Sequence, residues 1–423
     1  MQLYYFLAII LSLCSGSLPE SACSLPHAMA FSGMLIGTWW CLCLLAARII
    51  AVAIERGEVP HEVGFELFDR QATYLRWLSL GLIVLCLGGF GLASHVDELP
   101  VVESSLTLQS LVLLLPACLA MLGLWLAEFA FAARLGAGET GTLALARFLT
   151  DMARGTVGWM VVPLLGLMAV FDIASLIHVP AWFPPWVGWA LLATSLLCLA
   201  PVLVRLLLQS KPNSPDTTGW IKDLLAAAGE RKTGLLVWDT GGRAHNAMIA
   251  GAWGRFRILV LSDRLVTDLT KAELSMVILH ELAHVKRRHI PIRILSLLPA
   301  WLLGFAFERW ATTQVFSPSL AAWGAILGSG LSIALTIVLI RWVSYRIEHD
   351  ADRYATQLAI EVSLYCDAVP STQEDAAMTL ASALVRVTRH HESSRRATWL
   401  HPGIGERIRE LGVTANPEGP VFS

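Results

Sequence analysis

Two histidines and a glutamate carry the chemistry most readily read from this chain: His280-Glu281-Leu282-Ala283-His284 has the form H-E-x-x-H. At 3.6 residues per turn the two imidazoles stand one turn apart on the same helix face, where both rings can reach one ion. Glu281 follows about 100° round the helix, close enough to hold a water without ligating the ion. Neutral imidazole nitrogens suit Zn²⁺, and a catalytic zinc needs a third protein ligand plus an open position for water. Zinc lowers the pKa of that water to about 7, and a carboxylate can take its proton as it attacks a peptide carbonyl. The competing reading is a core helix whose histidines make ordinary hydrogen bonds, so the surrounding elements must decide.

The helix has a clear start. Thr270-Lys271-Ala272-Glu273 is a T-x-x-E capping box, and Pro291 predicts an end near His289. Met276, Val277, Ile278, Leu282 and Val285 make it apolar on most sides. Burying His, Glu and His in such a helix is costly unless something binds them. Upstream, 211–215 (K-P-N-S-P) reads as a linker and 219–228 as a helix. The stretches 234–239 and 255–261 read as strands, with a turn at Gly241-Gly242.

The rest of the chain is built for a membrane. Of its 423 residues 55% are hydrophobic and 15% charged, against about 25% charged in a soluble domain, and the mean hydropathy is +0.60. A net charge of −2 and a pI near 6.6 give no footprint for nucleic acid. The eight cysteines contain no C-x-x-C pair, and Cys41, Cys43, Cys86, Cys118 and Cys198 lie in apolar runs, where cysteine acts as a small hydrophobe. Residues 4–13 form a short apolar run with no Lys or Arg ahead of it, either an atypical signal segment or a short extra helix.

Seven longer apolar stretches follow, at about 29–54, 73–94, 107–133, 156–178, 186–208, 292–310 and 320–343, each near the ~20 residues that cross a bilayer. The loops 55–72, 134–155 and 209–291 contain Lys or Arg, whereas 95–106, 179–185 and 311–319 contain none. The positive-inside rule makes the first set and the C-terminal region cytoplasmic. The segments 209–291 and 344–423 then lie on the same side, joined by a helical hairpin.

A third ligand must come from that side. Residues 346–355 read R-I-E-H-D-A-D-R-Y-A, with Glu348 and Asp352 an i, i+4 pair on one helix face. Glu348 lies 64 positions after His284 (348 − 284), beyond the hairpin. A solvated charged helix end would look the same, and His349, Asp350 and Asp352 remain candidates on this ground alone.

H-E-L-A-H at 280–284 with His289 trailing, E-x-x-A-D-x-x-A at 348–355, Asn246-Ala247 ahead of the 255–261 strand, and His401-Pro402 with Arg407-Ile408 together resemble a known family. It is that of the membrane-embedded zinc endopeptidases of the CaaX prenyl protease and HtpX type, and the likeness covers roughly 230–415. The resemblance implies His280, His284 and Glu348 as zinc ligands and Glu281 as general base. It implies Asp352 as the acceptor of a ligand histidine's spare N–H and Asn246 as a neighbour of the substrate backbone. His401 and Arg407 would face the cleft and steady a tetrahedral oxyanion. The expected protein is mostly α, a polytopic helical membrane protein of about seven spans with a small cytoplasmic α+β zincin-type metalloprotease module. Its layout is an N-terminal apolar segment over 1–27, five spans over 28–209, the HExxH module over 210–290, a transmembrane hairpin over 291–345, and a cytoplasmic region over 346–423 carrying the third ligand.

The implied activity is zinc-dependent endopeptidase chemistry, with one Zn²⁺ per chain, a polypeptide substrate and the lipid bilayer as partners, no nucleic acid, and an active site on the cytoplasmic face of a plasma or inner membrane. A sensor-transducer sharing the module would need a sizeable outside domain, and the longest outside loop is 95–106. A transporter would be marked by ionisable residues inside spans, for which Glu128 and Asp172 are the acidic candidates. The topology has a direct check: a reporter fused after Ser423 reads as cytoplasmic, and one inserted near Asp97 reads as external.

Overall fold

The structure is a computed structural model that describes residues 2–17, 23–99, 101–138, 140–176, 214–240, 245–251, 254–314, 318–389 and 397–412, with single positions between 202 and 242. The chain is mostly helical and divides into two compact units, 1–196 with 315–326, and 197–314 with 327–423. Among the described residues, six helical stretches are long and apolar enough to cross a membrane: Leu25–Glu55, His61–Gly89, Leu106–Arg134, Thr142–Leu176, His289–Ala311 and Leu327–Ser363. The span expected at 186–208 and the loop at 179–185 fall outside the described residues.

The first unit contains α1 (Gln2–Leu13), α2 (Leu25–Glu55), α3 (His61–Val84), α4 (Leu106–Arg134), α5 (Thr142–Met152) and α6 (Trp159–Leu176). The 4–13 run is thus a short helix, buried through Tyr4, Tyr5, Ala8 and Ile9. Two tryptophans fasten α2 to α4, Trp39 Nε1 donating to the Ala120 carbonyl at 3.1 Å and Trp40 Nε1 to that of Leu119 at 2.8 Å. Gly123 makes room for this, since a Cβ there would lie 2.6 Å from Trp40 Cδ1. Much of the expected 55–72 loop is helix, α3 beginning at His61 behind Pro60. A hydropathy window registers the apolar run but not a helix that continues past it.

Asp172 has a structural explanation. Its carboxylate accepts from Ser105 Oγ at 2.7 Å and from the Leu106 and Thr107 amides at 2.8 and 3.0 Å. It caps the start of α4, where orphan N–H groups and the helix dipole favour an anion.

The second unit contains α7 (Pro215–Ala227), β1 (Gly234–Trp238), β2 (Ala247–Ala250), β3 (Ile258–Ser262), α8 (Asp263–Asp268), α9 (Lys271–Lys286), α10 (His289–Leu295) and α11 (Leu298–Gln314). They are followed by α12 (Pro318–Ser363), whose first residues lie in the other unit, α13 (Gln373–Thr388) and α14 (Ile404–Glu410). The strand expected from Arg255 starts at Ile258, because 254–256 is a 3-10 turn. The sheet order is β1-β3-β2, parallel between β1 and β3 and antiparallel between β2 and β3. β2 was not foreseen: four residues after a turn give no alternating pattern long enough to register.

One side of α9 packs into the core of this unit. Met276, Ile278, Leu279 and Leu282 have no exposure, each contributing about 1.5–3 kcal/mol of burial, against α7, β3, the C-terminal part of α12, and α13. The capping box is present and does a second job. Buried Glu273 accepts from the Thr270 amide at 2.9 Å and from Ser382 Oγ at 2.7 Å, and pairs with Arg386 Nε at 3.1 Å. The cap of α9 thereby also holds α13 alongside it.

One expectation is corrected. α9 ends at Lys286, not near His289. Arg288 takes a left-handed conformation (φ 56) and a new helix starts at His289, with Pro291 in its first turn, where no N–H is needed. The boundary expected at 345/346 falls inside α12, one continuous helix of 46 residues, because no Gly or Pro occurs between Gly330 and Pro370 to stop it. Beside it α11 approaches closely: a Cβ at Gly304 would lie 1.6 Å from Ser332 Oγ and 2.8 Å from the Gly328 carbonyl, a small-residue seam of the kind membrane helices use.

Asp263 fixes the turn that leads into β2. Its carboxylate accepts from the Thr240 amide and hydroxyl at 3.1 and 2.5 Å and from the Gly242 amide at 3.1 Å. Burial would raise its pKa, but these bonds outweigh that and hold it at about 2, below its ordinary 3.8. A depressed carboxylate stabilises the fold above its unfolded pKa and loses that contribution as pH falls through the folded one. Asp263→Asn is expected to cost about 2 kcal/mol at neutral pH and to flatten the acid limb of stability between about pH 4 and pH 2, read by thermal unfolding in detergent.

Candidate metal centre

On α9 the two imidazoles face the same way, as their spacing requires. His280 Nε2 and His284 Nε2 lie 3.3 Å apart. Glu348 comes from α12 with Oε2 3.6 Å from His280 Nε2 and Oε1 3.6 Å from His284 Nε2. The three donors lie within 4.8 Å of one another and form the metal-competent group found among the described residues. With metal–ligand bonds of about 2.0–2.2 Å, the edges of a tetrahedron measure about 3.3–3.6 Å. The donor types and their mutual distances therefore fit one tetrahedral zinc.

Each donor is held from behind. His280 Nδ1 donates to Asp352 Oδ1 at 2.9 Å, and Arg407 clamps that carboxylate with Nε at 2.8 Å and Nη2 at 2.6 Å. Arg407 is buried, and its Nη1 is 3.7 Å from Glu348 Oε2. His401, half exposed, brings Nδ1 to 3.3 Å from the same oxygen. On the other side Arg293 Nη2 donates to Glu348 Oε1 at 3.2 Å. His284 Nδ1 is 3.0 Å from His289 Nδ1.

The electrostatics follow from burial among these charges. Burial presses His280 towards neutrality, but the Asp352 carboxylate wins and holds it up at about 10. Burial and the charge on His280 push His284 down to about 2. Glu281 is lifted to about 7, first by burial and then by Glu348, against the pull of His280, His401 and Arg407. Asp352 and Glu348 keep Arg407 protonated against its burial. The side chains alone thus hold one proton where a divalent cation would compete for the same lone pair.

These groups open onto a cleft of about 460 Å³. Glu281, His401 and Arg407 line it together with Asn246, Met248 and Ile249 at β2, while Leu380, Leu384 and Val387 form an apolar wall on α13. The Asn246 amide and carbonyl bond Ser262 at the end of β3, at 3.0 and 2.8 Å, and its side chain is exposed. All eight residues singled out from sequence are thus gathered in this one cleft or directly behind it. The reading missed Arg293 and the α13 wall, and it gave Asp350 only as an alternative third ligand, whereas Asp350 pairs with His289 and Arg287. Leu380, Ala383, Leu384 and Val387 recur at i, i+3, i+4 and i+7, the one signal that could have marked the wall.

Fold and site define a metallopeptidase set in a membrane protein. Residues 217–415 match the model of peptidase family M48, and with that match the chain carries an M48 peptidase domain. The crystal structure of S. mikatae Ste24p aligns with a TM-score of 0.49 and 17% identity, over 92% of this chain and 100% of that one. No curated protein matches the sequence. Glu348→Ala is expected to leave the helices in place and remove the bound metal, measured as zinc per chain in detergent-purified protein. Zinc retained by that variant would move the third ligand to another residue.

Proposed function

We propose that this chain is a zinc-dependent endopeptidase that hydrolyses polypeptides at the cytoplasmic face of its membrane. The observation that carries the reading is the convergence of His280, His284 and Glu348, with Glu281 opening onto the same cleft. Zinc held there supplies Lewis-acid polarisation of a carbonyl and lowers the pKa of a water to about 7.

The chain's own residues do the rest. Glu281, poised near neutral pH by its burial, is the base that takes the proton from the attacking water and returns it to the leaving amine. His401 stands at the cleft with Nδ1 beside Glu348 and is the candidate donor to the oxyanion. Arg407 spends two donors on Asp352, so its first task is to neutralise that carboxylate. Asp352 in turn orients His280. β2 is the edge of its sheet, so an extended substrate backbone can run along it, past Asn246. An open cleft flanked by an edge strand accepts a chain that continues in both directions, which favours internal cleavage. The loop charges support the cytoplasmic orientation.

The test uses the full-length protein in detergent with an unfolded casein-type substrate. Cleavage is expected to stop with a zinc chelator and return on adding zinc. Glu281→Gln is expected to keep its zinc and lose turnover by about 10²–10⁴-fold or more. Turnover retained in Glu281→Gln would remove that residue from the mechanism.

A further inference from the structure

The two ligand histidines are supported differently. His280 donates straight to a carboxylate, Asp352, which stands one turn beyond Glu348 on α12 as its i, i+4 partner. Among the described residues no carboxylate pairs with His284 Nδ1, Glu348 facing its Nε2 instead at 3.6 Å. Its neighbour is the ring of His289, buried to 3% exposure, with Nδ1 3.0 Å from Nδ1 and the planes at 74°. His289 Nε2 is 2.9 Å from Asp350 Oδ2. Arg287 grips Asp350 through Nε at 2.9 Å and Nη2 at 3.1 Å.

Proton accounting admits one arrangement of this chain of contacts once His284 Nε2 offers its lone pair to a metal. His284 Nδ1 then carries hydrogen and donates. His289 Nδ1 must accept, which puts the hydrogen of its neutral ring on Nε2, and that N–H donates to the ionised Asp350. Asp350 stands about 200° round α12 from Glu348, too far round to serve His284 itself. The left-handed turn at Arg288 (φ 56), an uncommon conformation for a residue with a side chain, brings His289 back over His284 to bridge the gap.

We propose that His289 is a positioning residue for the metal centre, fixing the tautomer and ring orientation of His284 by relaying Asp350 to it. The proposal rests on the zinc reading above. It concerns the His289-to-Asp350 link, which that reading does not use.

The test compares His289→Leu with His289→Asn in full-length, detergent-solubilised protein. Asparagine places Oδ1 where histidine has Nδ1, so it can still accept from His284, whereas leucine fills the space and accepts nothing. Zinc affinity is measured by competition with a chromogenic chelator, and the thermal midpoint of the zinc-free protein serves as the fold control. His289→Leu is expected to bind zinc about 10–100-fold more weakly than wild type, with His289→Asn close to wild type and equal zinc-free midpoints. Asp350→Ala is expected to weaken zinc binding in the wild-type background and to have no further effect in His289→Asn. Equal zinc affinity in His289→Leu and His289→Asn overturns the proposal, as does an Asp350→Ala effect that persists in His289→Asn. A wild-type protein that binds no zinc brings down the zinc reading and this proposal together. Wild-type binding with no difference between the two variants brings down the proposal alone.

Discussion

Three donor atoms, from two helices far apart in sequence, must come within about a tetrahedron's edge of each other, and most of the second unit serves that requirement. Two of them come at no tertiary cost, because i and i+4 share a helix face. The third is 64 positions on (348 − 284) and arrives only because α11 and α12 run out and back as a hairpin. The close approach of Gly304 to Gly328 and Ser332 lets those helices touch backbone to backbone. The continuity of α12 carries the return directly into Glu348 and Asp352. A break at the end of the apolar run would have decoupled the membrane segment from the ligand.

Bringing polar groups into so buried a place raises the second constraint, that each must have a partner. The structure meets it with layered pairs: Arg407 on Asp352 on His280, and Arg287 on Asp350 on His289 on His284. Glu348 sits between Arg293 and Arg407. Low local dielectric makes these pairs strong and any loss costly, so the same network that holds the donors also restricts their rotamers. Glu273 applies the rule at the other end of α9, where its carboxylate serves both the helix cap and α13.

The cleft joins two unlike surfaces. Its floor is charged and comes from α9, α12 and α14, while its flank on α13 is apolar and its rim is the edge strand β2. A peptide offers the same mixture, a polar backbone with side chains that can be apolar, and needs both surfaces at once. The apolar wall is built by a helix that Ser382 and Arg386 tie to Glu273, so the wall of the cleft and the helix cap are mechanically one piece.

What the sequence by itself determined was local or compositional. The capping box, the H-E-x-x-H face and the charge alternation of the loops are written at spacings of a few residues, where helix geometry alone makes the connection. The apolar runs read as spans for the same reason: about 20 residues of one character fix a helix in a bilayer. Glu348, Asp352, Asn246, His401 and Arg407 were legible through a family's order of motifs, and beyond the i, i+4 pairing of Glu348 with Asp352 nothing in their spacing says that they meet. Tertiary structure alone decided the rest. The four-residue strand β2 exists because β3 supplies its hydrogen bonds. α9 stops at Lys286 because a left-handed residue turns the chain so that His289 can pack on His284. Arg293, Asp350 and the α13 wall take their places through contacts between helices, and such contacts depend on how faces are turned towards each other, a quantity no one-dimensional pattern contains.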